Sequence, residues 1–356
     1  MIRKIIWLIL LIPIFIILAL FFLKASFTID KIKTSKENGI HLLPISDTEI
    51  IKEPNRINIL LLGIRGLTDP GTGKLLADTI MILSVKKDTK DIALISVPRD
   101  IYIKPKGFEK GEKINYFYAL GEEKIGHGGG LKYMKSIVSQ ITGLYIDYAV
   151  SIDFYGFKKI VDELGGITIN LSSPFRERFQ WAKEGKEKSK HWILENFQVS
   201  TTTYVNGATT TATTTRQRWV FFLPKGRNTL NGQDALYYVR SRLSSNDFDR
   251  MKRQQQVISA IKDKVFSLNV LANPFKIFNL MDILKNHITT DMDLKDIKEL
   301  IKLANTFKDS NNKIKKVVLD MSDNLLYHTF IDKMYVLLPK GGNFKKIQEV
   351  CQNVFK

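Results

Sequence analysis

Apolar and polar positions fall into three regimes along the chain. The first is an apolar run, Ile5–Leu23, broken only by Pro13, preceded by Arg3 and Lys4 and closed by Lys24. At 19 residues it approaches the roughly 20 that a helix needs to cross a bilayer. It exceeds the roughly 7–15-residue core of a cleaved signal peptide. Ala25-Ser26-Phe27 is a poor cleavage site, and no lipobox cysteine exists. The leading basic residues predict a cytoplasmic N-terminus, an asymmetry that Lys24, Lys31, Lys33 and Lys36 weaken. Residues 1–24 are therefore expected to form a transmembrane signal anchor in the plasma membrane, a buried core helix being the alternative. Residues 25–55 read as a polar stalk and 56–356 as a domain on the outer face.

The second regime begins at Arg56, where short apolar runs predict strands: Ile57–Leu62 ending at Gly63, Thr79–Val85 and Ile92–Val97. Lys86–Asp91 is turn-like, so the last two should be adjacent antiparallel strands. Leu131, Met134, Ile137, Val138 and Ile141 have helical spacing within Gly130–Thr142, and Gly143 is a natural C-terminal cap. A strand at Tyr148–Ile152, a helix at Tyr155–Leu164, a turn at Gly165-Gly166 and a strand at Ile167–Leu171 follow. Strands alternating with helices predict an α/β fold built on a mixed sheet.

In the third regime, Arg176–Phe222, the pattern degrades into a charge run, Lys183–Lys190, and a low-complexity stretch, Thr201–Thr215, with nine threonines. Asn206-Gly207 among β-branched residues suits a projecting hairpin with a type I′ turn; a mobile polar insertion is the alternative. Regular spacing then returns. Helices are predicted around Gln233–Tyr238, over Phe248–Phe266 with Met251, Ile258, Ile261 and Val265 on one face, and over Pro274–Asn286 and Leu294–Phe307. Val317–Leu319 and Tyr335–Leu338 read as strands and Phe344–Phe355 as a closing helix.

Composition narrows the chemistry. Apolar residues at 44% and aromatics at 10% suffice for a packed core. The net charge of +18 suits an anionic partner, whether nucleic acid, lipid headgroups or a phosphorylated substrate; solubility or an AT-rich genome would give the same excess. The single cysteine, Cys351, excludes an intramolecular disulfide and a cysteine-based zinc site, and the five histidines lack ligand spacing.

Three clusters could carry chemistry. Val97-Pro98-Arg99-Asp100 ends a predicted strand, where open α/β sheets place ligands. Arg240-Ser241-Arg242 precedes Asp247, Arg250, Arg253 and Gln254; in an extended segment Arg240 and Arg242 would share a side, and Arg250 and Gln254 share a helix face. Guanidinium forks bind phosphate oxygens in pairs, so this group suits a pyrophosphate; a solvated basic face or a DNA-reading helix would look similar, but a membrane anchor argues against nucleic acid. The third cluster runs from Gly63-Ile64-Arg65-Gly66 through Asp69 to Asp78. An acid beside an arginine-held pyrophosphate is a sensible Mg²⁺ ligand, and a turn role is the alternative for each Asp.

Taken in order, these residues resemble the LytR-CpsA-Psr family of wall glycopolymer ligases. The landmarks are Leu61-Leu62-Gly63, Ala77-Asp78-Thr79-Ile80-Met81, Ser96-Val97-Pro98-Arg99-Asp100, and Lys113-Ile114-Asn115 with Tyr118-Ala119. They continue through Phe157, Val161–Gly166, Leu230–Leu236, Val239–Arg242 and Asp247 to Gln255. The resemblance implies an α/β/α sandwich with a tunnel for a polyprenyl chain, whose mouth binds pyrophosphate through arginines and Mg²⁺. It implies transfer of a phospho-glycan from a polyprenyl-pyrophosphate carrier to a peptidoglycan hydroxyl. Arg99, Arg240, Arg242, Arg250 and Gln254 match the family's pyrophosphate-binding positions, and Asp78 matches one of its metal-site acids. Two departures stand out: Ile64-Arg65 replaces the frequent Thr-Asp, and Leu76 replaces an arginine. Asp69 is the candidate substitute acid and Arg65 the candidate substitute cation. Asp247 and Asp100 are the candidate bases, or orient an arginine. A lipid-pyrophosphate hydrolase and a non-enzymatic envelope-binding or regulatory protein remain the competing functions.

Overall fold

The computed structural model describes residues 50–67, 73–181, 190–205, 208–268, 273, 280–306 and 314–356. The apolar run Ile5–Leu23, most of the stalk, Asp69, most of the charge run, Asn206-Gly207 and residues 274–279 lie outside the described residues. Among the described residues no helix is long and apolar enough to cross a membrane. The chain divides into two compact units, one comprising residues up to Glu163 together with Val265–Lys356, the other Leu164–Lys264.

The first unit begins with β1 (Arg56–Ile64), β2 (Ala77–Lys86) and β3 (Ile92–Ser96). β2 and β3 form the expected antiparallel pair, with Val85 opposite Ile92. A short pair, β4 (Tyr102–Ile103) and β5 (Glu112–Lys113), precedes α1 (Tyr116–Ile125) and α2 (Gly129–Thr142). These helices form the crossover that lets β6 (Tyr148–Ile152) run parallel to β1, a connection too long for a hairpin. Leu131, Met134, Ile137, Val138 and Ile141 are fully buried on α2, as their spacing predicts. Gly143 closes the helix at φ +68. The two helices touch through glycine: a Cβ on Gly129 would fall 2.0 Å from the Gly121 carbonyl oxygen, which no side chain tolerates. α3 (Phe154–Glu163) completes this part.

The second unit holds β7 (Ile167–Leu171), β8 (Phe175–Glu177), β9 (Trp192–Val205), β10 (Ala208–Leu223), β11 (Gly226–Leu230) and α4 (Gly232–Arg240). Most of α5 (Asp247–Ser267) also belongs here. β7 pairs with β11, and β8, β10 and β9 form a three-stranded sheet in that order. The expected hairpin is therefore present, with Val205 paired to Ala208 across Asn206-Gly207. The supposed insertion is polar only in its middle. At its ends Trp181, Trp192, Val220 and Phe221 are buried, and Phe221 packs against Phe175, Trp192 and Tyr237.

The chain returns to the first unit with β12 (Ile288–Thr290), α6 (Leu294–Thr306), β13 (Lys315–Val318), β14 (Leu326–Ile331), β15 (Met334–Pro339) and α7 (Lys345–Gln352). The main sheet then reads β12-β6-β1-β2-β3-β13, with parallel and antiparallel neighbours. It is the mixed sheet of the expected α/β fold.

Arg56 ties the start of this unit to its end. It is 2% exposed and donates to Ser84 Oγ at 2.7 Å, to Asn58 Oδ1 at 3.2 Å and to the Cys351 carbonyl at 2.9 Å. Burial lowers its pKa, an effect that Glu53 opposes. Cys351 beside it is wholly buried, and desolvation pushes its thiol up to about 12.

β14 escaped the sequence reading because its turn lacks glycine or asparagine. Asp332 and Lys333 both sit at positive φ, +48 and +65, between the paired Ile331 and Met334, as a two-residue hairpin turn requires. A left-handed backbone costs an L-residue roughly 1–2 kcal/mol. Lys333→Gly should therefore stabilise the protein by about 0.5–1 kcal/mol, read as a raised denaturation midpoint.

Candidate functional site

Within the first unit the strand ends gather three of the sequence landmarks. β1 leads into Arg65, which is half-buried, and Gly66 then turns the chain at φ +97, where a Cβ would strike Asp153 at 2.7 Å. Asp78, near the start of β2, accepts from Arg99 at 2.5 Å. Arg99 Nε lies 3.6 Å from the Asp100 carboxylate, which also receives Lys113 Nζ at 2.6 Å. The backbone binds the same segments. Asn115 donates to the Arg99 carbonyl and accepts from the Ala77 amide, at 3.4 and 3.0 Å, and Ile114 donates to the Ile101 carbonyl at 2.8 Å. Asp78, Arg99, Asp100 and Lys113 thus form a chain of alternating charge, carboxylate–guanidinium–carboxylate–ammonium. Arg99 is hydrogen-bonded to Asp78 through a terminal nitrogen and has the Asp100 carboxylate within ion-pair range of its Nε.

Mg²⁺ prefers one or two carboxylates plus phosphate oxygens and waters to an all-protein cage. Asp78, a quarter exposed beside Arg99, fits that donor set. Among the described residues no cluster of three or more His, Cys, Asp or Glu could enclose a metal. Asp69 lies outside the described residues.

Within the second unit the arginine-rich segment departs from the extended reading. Arg240 is the last residue of α4 and Ser241 its cap, at φ −59 and ψ 131, so alternation along a strand does not apply to Arg240 and Arg242. The Arg240 guanidinium lies over the Trp181 ring at 5.0 Å. Arg242 is exposed, and its amide donates to Gln180 Oε1 at 2.8 Å. The buried stripe of α5 also differs from expectation. Ile258, Ile261 and Val265 are only half-buried, whereas Arg250, Met251, Arg253, Gln254, Gln255 and Val257 are buried. A solvated basic face is thereby excluded for Arg250 and Arg253.

Those buried polar groups have a common task at the end of α4. A helix leaves its last carbonyls without intrahelical partners, and here each carbonyl from Tyr237 to Ser241 has one. Tyr237 accepts from the Ser241 amide and hydroxyl. Tyr238 accepts from Arg253 Nε at 3.0 Å, Val239 from Gln254 at 3.5 Å, Arg240 from Gln180 at 3.1 Å, and Ser241 from the Arg253 guanidinium. Arg253 also packs on Phe175 at 5.0 Å, and burial lowers its pKa against the pull of Tyr238 and nearby acids. Arg250 pairs with Asp247 at 3.0 Å.

Glu177, Gln180 and Trp181 were missed because they lie in the stretch read as an insertion. Glu177 is fully buried and accepts from the Phe179, Gln180 and Ser244 amides and the Ser244 hydroxyl. Trp181 donates to Ser241 Oγ at 2.8 Å. The loop carrying Arg242 is therefore held from both sides by this segment. Arg218, on β10, lies between Phe179 and Phe197 at 4.9 and 4.3 Å.

The model of the LytR_cpsA_psr family matches residues 20–353. A polyisoprenyl-teichoic acid–peptidoglycan teichoic acid transferase TagU of Bacillus licheniformis is 26% identical over 259 residues, 72% of this chain and 66% of that protein. TagU of Oceanobacillus iheyensis is 28% identical over 71% of this chain and 64% of its own length. The chain thus spans just under two thirds of these relatives. Regulatory protein MsrR of Staphylococcus aureus is 27% identical over 77% of this chain and 73% of its own. Among solved structures, TagT bound to LIIa-WTA has a TM-score of 0.58 at 21% identity, covering 90% of this chain and 97% of that one. Bacillus subtilis TagV has a TM-score of 0.57 at 23% identity, covering 85% and 97%. These two likenesses carry the fold.

Glu177→Ala would leave three amides and a hydroxyl without their buried acceptor. Lost hydrogen bonds to a buried charged group cost roughly 1.5–3 kcal/mol each, partly recovered by water. The opening free energy of the loop should fall by about 2–3 kcal/mol, seen as faster amide hydrogen exchange at Phe179 and Ser244 while β1 amides keep their protection.

Proposed function

The chain belongs to the LytR_cpsA_psr family, and from that membership we propose that it is a phosphotransferase of the cell envelope. An N-terminal helix anchors it in the plasma membrane, and an α/β/α catalytic domain stands on the outer face. It moves a phospho-glycan from a polyprenyl-pyrophosphate carrier to a peptidoglycan hydroxyl. The observation that carries this reading is the burial of Arg250 and Gln254 beside Asp247, in a segment that also bears Arg240 and Arg242. Asp247 offsets the cost of burying Arg250, and the guanidinium forks of Arg240, Arg242 and Arg250 in one short segment suit the paired oxygens of a pyrophosphate.

In the reaction the acceptor oxygen attacks the glycan-side phosphorus. The bond from that phosphorus to the bridging oxygen breaks, and polyprenyl phosphate leaves with the electron pair. Arg99, Arg240, Arg242, Arg250 and Gln254 bind the pyrophosphate, with Arg65 as a further cation. They stabilise charge on the equatorial and leaving oxygens, the main requirement of phosphoryl transfer. Asp247 takes the acceptor proton or orients Arg250. Mg²⁺ held by Asp78, with Asp69 as a second ligand, would neutralise charge on the pyrophosphate. The relatives named as teichoic acid transferases support the donor and acceptor classes.

Purified chain incubated with a polyprenyl-pyrophosphate-linked sugar and peptidoglycan oligomers should yield a phosphodiester adduct, identified by mass. Free phospho-sugar without adduct would replace the ligase by a hydrolase. A charged hydrogen bond contributes roughly 1.5–3 kcal/mol, so Arg240→Ala or Arg242→Ala should slow transfer at least about tenfold. Lysine should rescue poorly, lacking the fork. Asp78→Asn should flatten the response to Mg²⁺, and Arg218→Ala should be silent. Protease added to intact cells, or to spheroplasts, should digest the domain beyond Lys24; protection until lysis would overturn the topology.

A further inference from the structure

The β9–β10 ribbon is built as an unfinished sheet. β8 covers β10 only at Phe221–Leu223, and among the described residues no strand pairs with the outer edge of β9 over its whole length. Twelve residues of β9, from Ile193 to Tyr204, thus run in a two-stranded ribbon, a form that is at best marginal in water without a third strand or a packing partner. One face of it is a continuous polar ladder. Asn196 bonds Gln217 at 3.0 Å, Gln198 meets Thr215 at 3.4 Å, Ser200 meets Thr213 at 3.2 Å and Thr202 meets Thr211 at 3.3 Å. All eight side chains are exposed, as is Tyr204 near the tip.

Open edges of this kind are usually guarded by lysine, proline or inward charge. Here the guard is missing. The 20 residues from Asn196 to Thr215 contain no charged residue and no proline, in a chain that is 25% charged with a net +18. Two copies of so basic a chain repel one another over most of their surface. This ribbon is a surface on which they can meet without placing like charges opposite each other.

We propose that the ribbon is a self-association element: β9 of one copy pairs antiparallel with β9 of a second across a two-fold axis, making a continuous four-stranded sheet β10-β9-β9-β10. An isologous contact of this kind closes after two copies. Main-chain hydrogen bonds supply the adhesion, and the threonine and amide ladders of the two ribbons continue into one another.

The test uses the full chain in detergent, followed by sedimentation across a concentration series with the micelle contrast-matched. The wild type should show a monomer–dimer equilibrium. Gln198→Lys with Thr202→Lys puts like charges across the joined edge, and should raise the dissociation constant at least about tenfold. The matching Glu pair should do the same alone, and mixing differently tagged Lys and Glu chains should restore a heterodimer. Because Cys351 is buried, single cysteines at Asn196, Gln198, Ser200 or Thr202 can be joined by a short bis-maleimide, with efficiency peaking at the axis. A wild type that stays monomeric throughout overturns the proposal, as does a dimer indifferent to the lysines. Binding of the ribbon to a glycan polymer, lost with the lysines while the chain stays monomeric, would give the edge to the polymer and overturn it too.

Discussion

The end of α4 sets the constraint on which the second unit depends. Arg240 closes that helix, and an ordered helix end in a packed interior exposes carbonyls that need donors. Glycine, the common solution at a helix C-terminus, gives way here to side chains from elsewhere. Arg253 and Gln254 reach back from α5, and Gln180 reaches across from the segment after β8. The result fixes Arg240 and the loop carrying Arg242 with donors that are themselves buried. Arg253 is thus a positioning residue. Its guanidinium is consumed by the Tyr238 and Ser241 carbonyls and the Ser245 hydroxyl, although by residue type it belongs to the same basic cluster as Arg250.

The first unit solves a parallel problem with opposite means. Its strand ends carry acids as well as cations, and Arg99 lies between two carboxylates, Asp78 and Asp100, with Lys113 beyond. Two positive and two negative groups balance, so the cluster can be half-buried without a large desolvation penalty. Asp247 and Arg250 pair in the same sense, whereas Arg240 sits on an indole face. A guanidinium on an aromatic ring keeps its charge and its in-plane donors, since the ring engages only the face.

Sequence periodicity revealed the elements whose burial is apolar. β1 to β3, α2 and β6 lie close to where the hydrophobic runs place them, because a residue such as Leu131 or Ile137 is buried for the same reason that it looks buried. The arginine and acid clusters were legible as groups, since guanidinium density is visible in one dimension. Their geometry was not. The helix-to-loop break at Ser241 has no glycine or proline to announce it, and Arg253 differs from Arg250 only through partners that lie 12 to 15 residues back, at Ser241 and Tyr238.

The segment Arg176–Trp181 shows why buried polar residues defeat sequence reading. Glu177 stands between Arg176 and Arg178 and so suggests solvent, yet it is fully buried because four donors converge on it. A carboxylate at that depth can only be stable where the backbone presents N–H groups that have no other acceptor. Phe179, Gln180 and Ser244 supply such groups, and all three belong to turns rather than to helices or strands. The glutamate and the irregular loops therefore require each other, and neither could be inferred from its own stretch of sequence. What sequence could have offered is the spacing itself: an acid followed by short turn-forming stretches, next to aromatics such as Trp181 that are too large to leave in water. Aromatic density inside an apparently polar insertion, with Trp181, Trp192 and Phe221 all buried, separates its framework ends from the charge-free ribbon between them.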